Sequence, residues 1–186
     1  MTLETTRLIL RQWKSDDFSV FAKMNADQEV MRYFPHTLAE VESNALGEKI
    51  ESLITQRGWG FWAIEEKSSQ SFIGYVGLHE PQSELPFNPC VEVGWRLDKA
   101  YWSKGYATQA AHEALRFAFE ELGLKRVYSF TALPNYPSMN VMKRLGMVDT
   151  KQNFMHPSVD ENSPLREHVL YLITQEMWEN QLGDKR

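Results

Sequence analysis

Three places in the sequence could do chemistry. The first is Gly105, where a loop enters a helix. Positions 107, 110, 111, 114, 115, 118 and 122 are Ala, Ala, Ala, Ala, Leu, Ala and Leu. This is the i, i+3, i+4 spacing of one buried helix face. A helix start has unpaired N–H groups and the positive end of the helix dipole, which suits a phosphate or pyrophosphate. Glycine at the entry keeps side chains out of a ligand's way. It is equally the residue of an ordinary turn, so Lys104-Gly105-Tyr106-Ala107-Thr108 by itself does not separate the two. The second place is Glu92, in a strand running from Val91 to Leu97. A carboxylate can take a proton directly or through a water. The Val91-Glu92-Val93 alternation is also that of a solvent-facing strand residue. The third is Asn135-x-x-Ser138, where a short helix begins. Ser138 stands just before Met139 to Arg144, a place that suits a helix N-cap.

Composition excludes other chemistries. Cys90 is the only cysteine, so no internal disulfide can form, which fits a reducing cytoplasm. It has no Cys or His partner at metal-ligand spacing, and neither do His79, His112, His156 and His168; no metal is expected. The net charge of −5 argues against nucleic-acid binding and mildly favours a cationic substrate such as an amine or basic peptide. No apolar run reaches about 18 residues, so no membrane span is expected. Met1 to Arg7 lacks the form of a secretory signal. The length suits one domain, residues 1–186.

The elements that must position these residues follow from patterning. Arg7 to Gln12 reads as a first strand. Ser15, Asp16 and Asp17 can cap a helix through about Asn25. Thr37-Leu38-Ala39-Glu40 matches a capping box for a helix to about Gln56, ended by Arg57-Gly58. Gly60 to Glu65 and Phe72 to Leu78 read as a hairpin, with Gly74 and Gly77 marking a bulge or close backbone approach. Val91 to Leu97, the alanine-faced helix with Gly123 as its stop, and Arg126 to Thr131 follow. Next come the short helix with Gly146 at its end, and strands Val148 to Phe154 and His168 to Thr174. A polar loop, Met155 to Glu167, joins those two. Gln175 to Leu182 forms a terminal helix turn. The fold class is α/β (mixed α+β), a predominantly antiparallel central sheet of about seven strands flanked by helices. The lack of a glycine-rich first turn argues against a dinucleotide-binding fold.

A strand carrying Glu92, a glycine loop opening an alanine-faced helix, and Asn135-x-x-Ser138-x-x-Val141 leading to Leu145-Gly146-Met147 occur in one order. Together they resemble the GNAT superfamily of acetyl-CoA-dependent N-acetyltransferases. Four further segments resemble its RimJ/RimL-type branch, which acetylates ribosomal protein N-termini. These are Thr6 to Arg11, Val30 to Pro35, Tyr101 to Thr108, and His156-Pro157 with Pro164 to Tyr171. The resemblance implies acetyl-CoA as cosubstrate. Backbone groups of Trp95, Arg96 and Leu97 would pair with the pantetheine arm, as an added strand would. N–H groups from Ser103, Lys104, Gly105, Tyr106, Ala107 and Thr108 would hold the pyrophosphate. Asn135 would bond the pantetheine or a substrate amide. Lys143 or Arg144 would reach an outlying phosphate or simply face solvent. Glu92 would be the general base. Many relatives keep a tyrosine acid four residues after Ser138. Met142 stands there and cannot donate a proton, so Ser138 itself would be the acid. Trp59, Phe61, Trp62, Tyr33 and Phe34 would line the acceptor pocket or pack the core. The acceptor implied is a primary amine, foremost a protein N-terminal α-amine. A polyamine or antibiotic amine is the alternative, and a CoA-binding regulatory protein without catalysis is a further one. A homodimer is left open.

Overall fold

The computed structural model describes residues 1–183. In chain order the elements are β1 (Leu3–Glu4), β2 (Leu8–Arg11), α1 (Asp17–Ala26), α2 (Glu40–Arg57), β3 (Phe61–Glu66), β4 (Ser71–His79) and β5 (Glu92–Leu97). A 3-10 turn at Lys99–Tyr101 leads to α3 (Tyr106–Arg116), which runs on into a π turn, Phe117–Glu121. Then follow β6 (Arg126–Ala132), α4 (Tyr136–Arg144), β7 (Val148–Asp149), β8 (Phe154–Met155), β9 (Glu167–Thr174) and α5 (Gln175–Gly183). The strands form one sheet in the order β1-β2-β3-β4-β5-β6-β9-β7, with β8 also on β9. Every pairing is antiparallel except β5 with β6. The mixed α/β fold with a largely antiparallel, helix-flanked sheet is the one expected. Among the described residues the strand count is nine rather than about seven.

Register fixes which side chains share a face, because residues directly opposite each other point the same way. Trp62 opposes Val76, which opposes Trp95, and Trp62 packs edge-on against Phe117 at 5.4 Å. This face receives α3. Ala110, Ala111 and Ala114 are fully buried there, and their small side chains let the helix axis lie close to the sheet. The opposite face carries Ala63, Tyr75 and Arg96 in register, and α1 covers it through Phe21, 5.9 Å from Tyr75. The hairpin glycines behave as their spacing suggested. Gly74 has φ +135°, and the β3–β4 register shifts between Ile64 and Glu65. A Cβ on Gly77 would stand 2.0 Å from the Gly60 carbonyl oxygen.

Local structure differs from the sequence reading in four places, three of them helix caps. Asp16 sits at the α1 cap but makes no side-chain cap bond. Asp17 accepts from the Lys14 N–H at 2.8 Å and pairs with Arg11 at 2.7 Å, so a buried ion pair has taken it. The box from Thr37 to Glu40 does not form. The α2 cap is Ala39, whose N–H donates to Glu42 at 2.8 Å, and alanine has no oxygen to return the bond. Ser138 is not a cap, because α4 begins two residues earlier and Asn135 caps it. The strand expected over Val148 to Phe154 is divided into β7 and β8. The Lys151 N–H bonds back to Asp149 Oδ1 at 2.9 Å, and Lys151 takes φ +59°.

Candidate active site

β5 and β6 run together through one register pair, Glu92 with Tyr128. The Tyr128 N–H donates to the Val91 carbonyl at 3.0 Å, and the Ser129 hydroxyl donates to the Val93 carbonyl at 2.9 Å. Beyond Val93 the strands separate. β6 keeps pairing with β9 through Ala132, and β5 keeps pairing with β4 through Leu97. A strand's backbone groups alternate sides along its length. Val91 and Val93 turn theirs toward β6, so Trp95 and Leu97 do too, while Gly94 and Arg96 turn theirs toward β4. The Asp98 N–H, donated to Ile73 in β4 at 2.9 Å, keeps this phase. The Arg96 backbone is therefore spent on β4 and does not face the split, which corrects one of the three residues expected to pair with a pantetheine arm. The Leu97 carbonyl accepts from Trp102 Nε1 at 2.9 Å. Both backbone groups of Trp95 and the N–H of Leu97 remain as an open edge for an extended polar chain.

The glycine loop lies at the end of this edge. Ser103 has φ +60° and Gly105 φ +77°, and the first helical bond runs from the Gln109 N–H to the Gly105 carbonyl at 3.0 Å. The N–H groups of Ser103, Lys104, Gly105, Tyr106, Ala107 and Thr108 have no protein acceptor among the described residues. A turn made only for chain reversal does not need so many free donors; an anion would satisfy them. The start of α3 is tied down from two sides. The Tyr106 hydroxyl donates to Glu66 on β3, and that bond raises the tyrosine's pKa. Arg7 donates to the Lys104 carbonyl at 2.9 Å and to Gln109 at 3.2 Å, and its guanidinium lies 4.5 Å from the Tyr106 ring centroid. Arg7 thus brings a positive charge to the loop. No sequence signal gave it that position, since it comes from 97 residues away.

Ser138 meets the split from α4. Its oxygen accepts from Trp95 Nε1 at 3.3 Å and from Asn135 Nδ2 at 3.1 Å. Asn135 also donates to Thr131 Oγ1 at 2.8 Å and accepts the Ser138 N–H at 3.3 Å. Both amide hydrogens of Asn135 are used, so it has only a carbonyl lone pair left for a ligand. The resemblance implied a bond from Asn135 to the pantetheine or a substrate amide; with both amide hydrogens on Thr131 and Ser138, only its carbonyl could make one. Met142 is buried, and Lys143 and Arg144 are exposed on α4.

Glu92 projects from the α1 face, opposite His79 in β4. It is half-buried and has no hydrogen-bond or ion-pair partner among the described residues. Desolvation pushes its pKa up to about 8. Burial, followed by the charges of Arg57 and Lys49, pushes His79 down to about 4, so that ring is neutral near pH 7. His79 stacks on Phe61 at 5.1 Å. Cys90 is pushed up to about 11 by burial and then by Glu92, so it stays a thiol, as expected of a structural cysteine. His156 and His168 pack against Phe130 and Phe154 in a second aromatic cluster. No group of His, Cys, Asp and Glu among the described residues is arranged to hold a metal ion. An open groove lined by Glu80, Cys90, Lys125 and Tyr128 lies at the other end of β5, away from the split.

The family model for the acetyltransferase (GNAT) domain matches residues 7–148. Among curated proteins, the chain is 30% identical over 189 residues to FsC-acetyl coenzyme A-N(2)-transacetylase of Aspergillus fumigatus, covering 95% of this chain and 77% of that one. Among solved structures, an acetyltransferase (GNAT family) of Bacillus anthracis superposes with a TM-score of 0.78 at 24% identity, covering 95% of this chain and 99% of that one. The ribosomal L7/L12 alpha-N-protein acetyltransferase RimL, solved in complex with coenzyme A, gives 0.72 at 15% identity, with coverage of 94% and 98%. At these identities the two solved structures speak for the fold.

Proposed function

The chain belongs to the acetyltransferase (GNAT) family, which uses acetyl-CoA as donor, and from that premise we propose that it moves the acetyl group to a primary amine at the β5–β6 split. The observation that carries this reading is the open edge of Trp95 and Leu97, with the free N–H groups of residues 103–108 beyond one end and Ser138 beside it. The edge fits the amide-bearing arm of the cosubstrate, and the loop with Arg7 fits its pyrophosphate.

Acetyl transfer needs a neutral amine and a protonated leaving group. Glu92, whose pKa partial burial raises to about 8, takes the amine's proton directly or through a water. The amine nitrogen bonds to the acetyl carbon as the carbon–sulfur bond breaks, and the electron pair leaves on sulfur. Ser138 gives that thiolate its proton and regains one, directly or through a water, from the acylated nitrogen, which leaves a neutral amide, free thiol and serine. Two hydrogen bonds fill the serine's lone pairs and leave its O–H free to point at the split.

For the acceptor, we favour a protein N-terminal α-amine, supported by the RimJ/RimL-type segments of the sequence. A small-molecule amine, a polyamine or antibiotic amine, is the second reading. Thiol release from acetyl-CoA with peptide N-termini and polyamines side by side separates them. Turnover confined to peptides is expected. Turnover confined to polyamines would overturn the peptide reading, and release independent of any amine would overturn acetyl transfer.

A further inference from the structure

The α1 face of the sheet holds a second polar group without a use so far. Arg96 is 8% exposed, and its one side-chain hydrogen bond among the described residues runs from Nη1 to Asn25 Oδ1 at 2.9 Å. Its Nε is buried without a partner. The guanidinium lies 4.2 Å from the centroid of Phe34 and 5.4 Å from that of Tyr75. No carboxylate among the described residues pairs with it. The contrast within this chain is Arg11, also on this face and 9% exposed, which has two carboxylates, Asp17 at 2.7 Å and Glu65 at 2.6 Å. A buried cation without a counter-charge is costly, and a polar site left unsatisfied in a folded chain calls for a ligand.

Arg96 is not alone there. Tyr75 opposes it in register, is 7% exposed, and makes no hydrogen bond through its hydroxyl among the described residues. Both Arg96 and Glu92 act electrostatically on Tyr75. Arg96 and Glu92 are four residues apart on one strand, so their side chains share a face with Cα atoms about 13 Å apart. Gly94 stands between them, under the Phe61 ring. An unpartnered carboxyl, an unpartnered phenol and a guanidinium that lacks a counter-charge and has a free Nε thus share a face with the aromatic rings of Phe34, Phe61 and Tyr75. A few convergent polar groups in an apolar lining are the composition of a small-ligand site.

We propose that the acceptor is an amine that also carries a carboxylate, with the carboxylate held by Arg96 and Tyr75 while the amine lies at Glu92. This rests on the acetyltransferase reading above and narrows its acceptor. Arg96 would then be a specificity residue through its side chain, not a cosubstrate contact through its backbone. The purely structural alternative is a tie between β5 and α1, since Asn25 continues to Ser43 on α2 at 2.9 Å. That role would affect all acceptors equally.

The test compares matched acceptors in the intact enzyme: a terminal aminohexanoate against hexylamine, and a C-terminally amidated alanyl-glutamate peptide against its amidated alanyl-glutamine counterpart. The expected wild-type preference in kcat/KM for the anionic member is about 10- to 100-fold, the size of one charge-assisted contact. Arg96→Met is expected to bring that ratio close to unity, and Arg96→Lys to keep part of it. Hexanoate is expected to inhibit competitively against the amine and not against acetyl-CoA, a measurement that needs no variant to fold. Preference in the small pair alone points to a small acceptor, and in the peptide pair alone to an acidic N-terminus; either supports the proposal. Equal wild-type rates within both pairs, or a ratio that survives Arg96→Met, would overturn it while leaving acetyl transfer intact. No turnover of any amine would overturn both.

Discussion

The hydroxyl of Ser138 accepts from Trp95 Nε1 and Asn135 Nδ2, which directs its own proton away from both. Because Asn135 caps α4, replacing the serine tests acid catalysis without removing a cap. Ser138→Ala is expected to lower turnover about 10²-fold or more, and to cost about 1 kcal/mol of stability as two donors lose an acceptor. Steady-state rates and thermal melting would check this, and near-normal turnover would assign the proton to water. Glu92 gives a prediction with a definite sign. Its pKa rises from 4.5 to about 8 on folding, so the folded chain favours the protonated form. That contribution to stability is complete below the unfolded value and is lost as the pH rises through about 8. Glu92→Gln keeps its neutral group at every pH, so its stability relative to wild type is expected to rise between pH 5 and pH 9, roughly the window of that loss. Its turnover is expected to be about 10²-fold lower at neutral pH, the deficit shrinking where free amine is abundant. A stability difference that does not change with pH would mean that the carboxyl is solvated. The residue types at 92 and 138 were legible in the sequence. The missing partner of the Tyr75 hydroxyl and the missing counter-charge of Arg96 were not, because lacking a partner is a property of the packed chain.

The α4 start couples a cap to a reacting group. Asn135 uses its carbonyl for the Ser138 N–H and its amide hydrogens for Thr131 and Ser138 Oγ. Asn135→Ala is expected to cost about 0.5–2 kcal/mol and to lower turnover by freeing the Ser138 rotamer. Asn135→Asp restores the acceptor for the cap but supplies no donors, so it should recover stability and not rate. Chemical denaturation together with kinetics separates the two, and recovery of both would make Asn135 a cap only. Elements of this kind were readable from periodicity and glycine placement: the alanine stripe of α3, the β3–β4 hairpin, and the stops at Gly58, Gly123 and Gly146 all stand near the expected positions. The caps of α1 and α4 were not, because the choice among neighbouring polar residues was settled by partners elsewhere in the chain. Arg11 drew Asp17 away from the α1 cap, and Thr131 with Trp95 fixed the roles of Asn135 and Ser138.

At the scale of the molecule, the site exists because two parallel strands part after a single register pair. Sequence patterning placed both strands but could not show their divergence, which follows from β5 staying with β4 and β6 staying with β9 over long sequence separations. The loop at 103–108 should then bind acetyl-CoA only when its N–H groups are clear. Gly105 has φ +77° and an otherwise open position, 3.6 Å from Arg7 at the nearest. Gly105→Glu would place a carboxylate beside Arg7 where the pyrophosphate belongs. At 100-fold excess over Kd, acetyl-CoA is expected to stabilise the wild type by about 2.7 kcal/mol, roughly 5–10 °C in Tm, and to leave this variant unmoved. An equal shift in both would remove the loop from the binding site. The most direct measurement of the whole account is a crystal structure of the wild-type chain with coenzyme A. The expected result is a pantetheine arm bonded to the backbone of Trp95 and Leu97, with its sulfur within about 4 Å of Ser138 Oγ. A pantetheine arm lying outside the β5–β6 split, or a sulfur on the far side of β5 from Ser138, would contradict it.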